Sequence, residues 1–325
     1  MDLNDKLQNL KEILSGYGQM IVAFSGGVDS TFLLAFAYDL WGDDRVTAVT
    51  AKGPHFAPDE TEYAREVCDR LGISHKSFDV SRVISTIRRN PEDRCYHCKR
   101  EIFTELKERA DMVGSVLADE TNADDMSDYR PGYKAVKEIG VASPLKEAGL
   151  TKLEIRQALH DMAQRDEQLR TALGMTAAPE NRSAGMPELT IWEKPAFACL
   201  ASRIPYGETI TEEKLRAIYD GEVFLRSKGF AQVRVRCHEI TGSASGDSGR
   251  WIARIELEPK GMGRFCQGSI GRQDQNGETL FEETEAALKE LGFEYVTLDL
   301  GGYSRGKLNG RLQKEAERCS AGCSG

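Results

Sequence analysis

Met20-Ile-Val-Ala-Phe24, Ser25-Gly26-Gly27-Val28-Asp29-Ser30 and Thr31-Phe-Leu-Leu-Ala-Phe-Ala-Tyr-Asp-Leu-Trp41 follow one another without a break. A short apolar run, a glycine turn and a longer apolar run read as strand, loop and helix. Glycine has no Cβ, so Gly26 and Gly27 let a ligand come close to the backbone. The start of the following helix turns free N–H groups and the positive end of its dipole to the same spot. The result is an anion site, best suited to a phosphate chain. Its candidate residues are Ser25, Gly26, Gly27, Val28, Asp29 and Ser30, with Asp29 and Ser30 adding oxygens for the phosphates or Mg2+. No Gly-Lys-Ser/Thr follows and G-x-G-x-x-G is absent here, which excludes a Walker loop and a dinucleotide fingerprint. A tight turn capped by Ser25 is the bland alternative.

The alternation continues outward from this loop. Toward the N-terminus, Leu3, Leu7, Leu10 and Leu14 share one helical face. Toward the C-terminus, Val46–Ala51, Ser74–Val80 and Val113–Ala118 read as strands. Asp59–Leu71, Tyr96–Ala110 and Leu150–Met162 read as helices between and after them. Strands alternating with helices predict parallel βαβ units, an α/β Rossmann-like doubly wound sheet. Residues 163–190 are small and polar with little periodicity and read as a mobile loop or an inserted segment. From Thr211 the pattern changes to helix (Thr211–Lys228), strands (Gln232–Cys237, Trp251–Glu258), helix (Glu282–Leu291) and strand (Tyr295–Leu300), a small α+β domain. The expected division is therefore 1–207, 208–310 and a disordered tail, 311–325.

Composition narrows the function. The chain of 325 residues carries 52 acidic and 43 basic side chains, a net charge of −9. A protein that grips nucleic acid through its phosphates usually shows the opposite balance, so no nucleic-acid partner is expected. The longest apolar run, Phe32–Tyr38, is far short of the about 18 residues a membrane span needs. The first residues, MDLNDKLQNLKEIL, are charged and amphipathic rather than a secretory signal, so a cytoplasmic protein without a membrane partner is expected. Eight cysteines in such a chain point to metal ligands or reactive thiols rather than disulfides.

Cys95-Tyr-His-Cys98 lies just before the helix at Lys99, and Cys199 lies in Lys194-Pro-Ala-Phe-Ala-Cys-Leu-Ala-Ser-Arg-Ile-Pro-Tyr-Gly207. A C-x-x-C pair suits zinc, an iron–sulfur cluster or a redox dithiol, and His97 is a conceivable fourth ligand. Unrelated thiols are the plain alternative, and Cys68, Cys237 and Cys266 read as structural. Asn122, Asp124 and Asp125 follow a strand at the carboxyl edge where open α/β sheets bind ligands, suited to ribose, Mg2+ or an acyl-adenylate. Arg234 and Arg236 alternate with Val233 and Val235, which puts both guanidiniums on one strand face as a phosphate clamp. A solvated face is the alternative. Glu222 falls on the apolar stripe Leu215, Ile218, Tyr219, Leu225, so it must be paired, bound or at a rim. Glu256 is a second such carboxylate. Ser202 and Arg203 follow Cys199; Arg203 suits stabilisation of an adenylated intermediate or, more conservatively, an ion pair that anchors the loop.

Ser25–Ser30 resembles the PP-loop of the ATP pyrophosphatases. More narrowly, the chain resembles the LarE-type sulfur transferases of nickel-pincer nucleotide biosynthesis. The stretches that carry the likeness include Asp119-Glu-Thr-Asn-Ala-Asp-Asp125, Tyr129-Arg-Pro-Gly132, Ser143-Pro-Leu145 and Gly149-Leu-Thr-Lys-Leu-Glu-Ile-Arg156. Lys194–Gly207, Val233–Arg236 and Tyr295-Val-Thr-Leu-Asp-Leu-Gly-Gly-Tyr303 continue the series. The resemblance implies an enzyme that uses MgATP to adenylate a carboxylate of pyridinium-3,5-dicarboxylic acid mononucleotide and then replaces AMP by sulfur. It implies that Arg234 and Arg236 bind the substrate phosphate, with Glu222 near the arginines and metal. It implies two sulfur sources: sacrifice of a single cysteine, here Cys199, or a [4Fe–4S] cluster on Cys95, Cys98 and Cys199. All three positions are filled, so the cluster is expected, fed by sulfide or a cysteine-derived donor. A homo-oligomer is implied as well. The chemistry is sound, since adenylation supplies the leaving group that a carboxylate lacks and thiolate or sulfide is a strong nucleophile. Residues His160–Glu193 are longer than the family pattern, and Cys319 and Cys323 lie outside it. Rival readings are a tRNA thiolase, an ammonia-using ligase like NAD synthase and a zinc-stapled binding module.

Overall fold

The loop at Ser25–Ser30 joins a strand to a helix, as the flanking apolar runs require. The computed structural model describes residues 1–42, 44–127, 131–173, 191, 198–240, 249–269 and 279–304. Two compact units divide the chain: residues 1–183 with 188–197, and residues 184–187 with 198–325.

The first unit runs α1 (Leu3–Ser15), β1 (Met20–Ala23), α2 (Val28–Trp41), β2 (Val46–Lys52), α3 (Pro58–Leu71), β3 (Ser74–Asp79), α4 (Val83–Ile87), α5 (Arg94–Met112) and β4 (Val116–Ala118). After a 3-10 turn at Ala123–Ser127 come α6 (Pro131–Ile139), α7 (Pro144–Glu147), α8 (Lys152–Arg165) and α9 (Glu167–Ala172). Its sheet has the order β3-β2-β1-β4 with every pair parallel, the α/β architecture expected. The carboxyl ends of parallel strands share one edge, so the loops after β1, β2 and β4 gather there.

Helix α2 is apolar nearly all round and is correspondingly buried, with Phe32, Leu33 and Leu34 fully enclosed. Each of these side chains contributes about 1.5–3 kcal/mol by leaving water. Leu10 and Leu14 of α1, Val67 of α3 and Ile155 and Leu159 of α8 belong to the same core. Asp2 caps α1 by accepting from the Asp5 amide, which fixes where that helix starts.

Three differences from the sequence expectation have local causes. Helix α5 begins at Arg94, so Cys95 and Cys98 lie inside its first turns. Strand β4 is only Val116–Ala118, because the chain first closes α5 through Gly114 at φ 66°. The start of the segment taken as an insertion is helical: Asp166 caps α9, and Leu169 and Ala172 are buried in the core. Six residues are too few for a helical period to show. Residues 174–190, the tail from 305, Tyr129, Arg130 and Lys194–Phe197 lie outside the described residues.

The second unit contains a 3-10 turn (Leu200–Arg203), α10 (Glu212–Ser227), β5 (Val233–Glu239), β6 (Trp251–Leu257), α11 (Pro259–Ser269), α12 (Leu280–Glu290) and β7 (Phe293–Leu298). Its sheet is β5-β6-β7, with β5 antiparallel and β7 parallel to β6. This is the small α+β arrangement expected, with α11 additional. No helix among the described residues is long and apolar enough to cross a membrane.

Candidate active site

Gly26 adopts φ 69°, and a Cβ there would come within 3.2 Å of Tyr63 Cδ1. Only glycine fits both the conformation and the space. Gly27 is the N-cap of α2, and no side chain caps the helix. Ser25 Oγ instead accepts from the Gly27 amide at 3.2 Å and lies 3.0 Å from Ser30 Oγ, which shapes the loop. A helix of fourteen residues with no side-chain cap is suited to an anion at its N-terminus.

Asp29 is half-buried, and its Oδ2 accepts from Asn122 Nδ2 at 2.9 Å. Burial pushes its carboxyl up; Lys152, the Asn122 bond and Arg156 oppose that, and Asp125 adds to it. Asn122 is fully buried, its Oδ1 accepting from the Asp124 amide at 3.0 Å and its own amide donating to Asp125 Oδ2 at 3.3 Å. Below this turn, buried Asp119 accepts from Thr121 Oγ1 at 2.5 Å and Ser143 Oγ at 2.7 Å. The β4 loop is thereby held so that Asn122 meets the carboxylate of the glycine loop. Asp125 lies 3.0 Å from Lys152 Nζ, and exposed Asp124 accepts from the Lys152 amide at 2.8 Å. Uncapped amides, a carboxylate and an opposing lysine fit a nucleotide triphosphate with its Mg2+.

The structure brings Asp29 of the Ser25–Ser30 loop together with Asn122, Asp124 and Asp125. Sequence reasoning missed Lys152, Arg156 and Glu120. Lys152 is the first residue of α8 after a capping box at Thr151, a signal that marks a helix start and not a ligand. Burial pushes the Glu120 carboxyl up to about 7, with Lys99 opposing and Asp119 and Asp29 adding.

Cys95 and Cys98 lie one turn apart on α5, the first exposed and the second half-buried. Cys199 is half-buried in the second unit. Among the described residues, no group of three His, Cys, Asp or Glu side chains is placed to hold a metal ion. Cys95 and Cys98 thus share one helix turn of the first unit, and Cys199 belongs to the second. His97 contacts Asp93 Oδ2 at 3.1 Å. Cys68 and Cys237 are buried and Cys266 is half-buried; Cys319 and Cys323 lie outside the described residues.

His55, in the loop after β2, was not legible in the sequence. It is fully buried, and burial pushes its imidazole from 6.5 down to about 4. Between those values the unfolded chain binds a proton that the folded chain refuses. His55 therefore withdraws about 3 kcal/mol of stability as pH falls from 6.5 toward 4. His55→Gln should flatten that part of the urea-midpoint profile, and an unchanged profile would refute the assignment.

In the second unit, Arg203 and Glu222 form a bidentate ion pair, Nε–Oε1 2.9 Å and Nη2–Oε2 3.0 Å, both about 1% exposed. Arg203 Nη1 also donates to Ala198 O at 2.5 Å, Cys199 O at 3.2 Å and Ser202 Oγ at 3.0 Å. That is the loop-anchoring geometry, and it fixes the backbone of Cys199. Arg226 Nη1 lies 3.6 Å from Glu222 Oε2, and the Val235 amide donates to Glu222 Oε1 at 3.2 Å. Burial pushes the Glu222 carboxyl up, but Arg203, Arg234 and Arg226 outweigh it and hold it below its usual range.

Arg234 and Arg236 are both buried, so the solvated-face alternative is excluded. Arg236 Nη2 donates to Glu256 Oε2 at 2.8 Å and Nη1 to Ser202 O at 2.7 Å. Arg234 lies over the Tyr303 ring, 5.2 Å from its centroid. Gly302 makes that stack possible: at φ 61°, with a Cβ position only 2.8 Å from Leu257 O, it lets the Tyr303 amide reach Leu257 O at 2.8 Å. Burial, then Arg203, hold the Arg234 guanidinium below its usual range, with Glu222 and Tyr303 opposing and Arg236 adding. Buried Glu222 thus meets Arg203 and Arg226, and buried Glu256 meets Arg236 and, at 3.4 Å, Arg254.

Likeness to known proteins extends over nearly the whole chain. A family model described as NAD synthase matches residues 3–116. A pyridinium-3,5-bisthiocarboxylic acid mononucleotide synthase of Lactiplantibacillus plantarum is 33% identical over 96% of this chain and 96% of its own length. An uncharacterised protein of Synechocystis is 38% identical over 96% of this chain and its full length. A glutamine-dependent NAD(+) synthetase of Xylella fastidiosa is 39% identical, but over only 21% of this chain and 13% of its own.

Proposed function

The chain belongs to the pyridinium-3,5-bisthiocarboxylic acid mononucleotide synthase family of PP-loop enzymes, and from that membership we propose its reaction in detail. It adenylates a carboxylate of pyridinium-3,5-dicarboxylic acid mononucleotide with MgATP and replaces AMP by sulfur, giving the thiocarboxylate precursor of the nickel-pincer nucleotide. The observation that carries this reading is that the likeness runs nearly the whole length of both chains, through both units. The likeness to the glutamine-dependent NAD(+) synthetase is confined to a short stretch.

The amides at the start of α2 would take the ATP phosphates, with Asp29 held by Asn122 toward the Mg2+. Bound Mg2+ would draw charge from the pyrophosphate leaving group. Arg234 and Arg236 lie two residues apart on β5, and two guanidiniums so placed would suit a phosphate dianion, which supports them as the substrate-phosphate clamp. Arg234→Ala should weaken mononucleotide binding by about 1.5–3 kcal/mol, read by calorimetry. Unaltered binding would remove Arg234 from the clamp.

For the sulfur source, the Cys95–Cys98 pair on one helix turn supports the [4Fe–4S] reading, and the anchored backbone of Cys199 supports its sacrifice. Anaerobic purification separates them. Iron and acid-labile sulfide would support the cluster. A mass loss at Cys199 equal to one hydrogen sulfide after turnover would support sacrifice. A homo-oligomer in the cytoplasm, supplied by sulfide or a cysteine-derived donor, completes the proposal. Sulfur transfer that survives Cys199→Ala would overturn both sulfur readings.

A further inference from the structure

Cys98 has a buried neighbour that nothing in the reaction outlined above employs. His55 Nε2 lies 3.6 Å from the Cys98 sulfur, within the longer hydrogen-bond reach of sulfur. The other ring nitrogen, Nδ1, is buried with no hydrogen-bond partner among the described residues. A neutral imidazole carries a single N–H. A buried N–H left without an acceptor is rarer than an acceptor left without a donor. The proton therefore belongs on Nε2, where the sulfur accepts it, and the bare lone pair belongs on Nδ1. The ring is also held in place. The Phe56 ring centroid is 4.2 Å from that of His55, and a Cβ at Gly53 would come 3.4 Å from His55 Cε1.

We propose that His55 is a positioning residue for the sulfur chemistry: its Nε2–H donates to Cys98, fixing the direction of that sulfur and stabilising negative charge on it. The two cysteines are then unequal, with Cys98 the held sulfur and exposed Cys95 its accessible companion. The place of the contact supports this. His55 follows β2, and the neighbouring strand β1 leads into the PP-loop, so the bond ties the first turns of α5 to the edge of the sheet where ATP is expected. The proposal deepens the sulfur-transfer reading and rests on it for its purpose, though not for the hydrogen bond itself.

The test uses the full-length chain, reduced and treated with a chelator, and follows alkylation of each cysteine by iodoacetamide with peptide mass spectrometry. His55→Leu should slow Cys98 about three- to tenfold, the loss of a hydrogen bond to a charged sulfur partly offset by the greater intrinsic nucleophilicity of a more basic thiolate. Cys95 should keep its rate. His55→Gln, which retains a side-chain N–H, should recover part of the Cys98 rate. An unchanged Cys98 rate, an equal change at both cysteines, or His55→Gln no better than His55→Leu would each overturn the proposal. Sulfur transfer is measured on the same variants. Slowed Cys98 alkylation with normal sulfur transfer supports the hydrogen bond and removes Cys98 from sulfur delivery, so the two failures are told apart.

Discussion

Asp29→Ala should lower pyrophosphate release by about 10²–10³-fold, the usual loss when a group that stabilises charge in the transition state is removed. The same change should not weaken the fold. Asp29 has its carboxyl pushed up in the folded chain, burial being the chief cause. A raised carboxyl contributes stability below its unfolded value and loses it as pH rises, so at neutral pH the ionised Asp29 is a burden on folding. Asp29→Asn tests the same point more gently, since its amide oxygen can still accept from the Asn122 amide. Activity should fall while the urea midpoint at neutral pH holds or rises. Full pyrophosphate release, or an unfolded variant with residual activity per folded molecule intact, would remove Asp29 from the reaction.

Glu222→Ala should destabilise the chain by about 3–5 kcal/mol, because it strands buried guanidiniums without their counter-charge. That is a large share of the about 5–15 kcal/mol of a typical domain. Glu222 accepts both bonds of the Arg203 fork, contacts Arg226 and receives the Val235 amide, so no water replaces it cheaply. Replacing Arg203 and Glu222 together by apolar residues of similar volume should restore much of the loss, as buried ion pairs are often no better than good packing. A double-mutant cycle in urea measures the coupling. A single-mutant loss below about 1 kcal/mol would mean that the pair is hydrated and not structural. The pH dependence has a definite sign. The Glu222 carboxyl is held down by Arg203, Arg234 and Arg226 against burial, so its stabilisation is complete above the unfolded value of 4.5 and is lost as pH falls through the lower folded value. The doubly substituted chain should lose that acid sensitivity. Sulfur transfer by it is a further readout, because Arg203 also holds the carbonyls of Ala198 and Cys199.

Legibility differed between the two units. The PP-loop was readable because strand, glycines and helix are contiguous, and the structure keeps each boundary within a few residues. The β5 alternation was readable too, but its meaning was not. Val233, Arg234, Val235 and Arg236 are all buried, since the second face of the strand is covered as well. Glu222 on an apolar stripe signalled a partner; the sequence offered several arginines and no means of choosing among them. Short helices such as α7 and α9 escaped because four to six residues show no period.

Taken alone, the sequence determined the parallel α/β sheet, the phosphate-type loop and the family likeness. All three depend on contiguous residues and on local periodicity, which a linear chain displays directly. Tertiary structure decided which guanidinium meets Glu222, that Asn122 faces Asp29 across 93 positions and that His55 reaches Cys98 across 43. Such contacts arise only when separate strand ends are brought to one edge of a sheet, or a helix is laid across a second one, and no spacing along the chain encodes them.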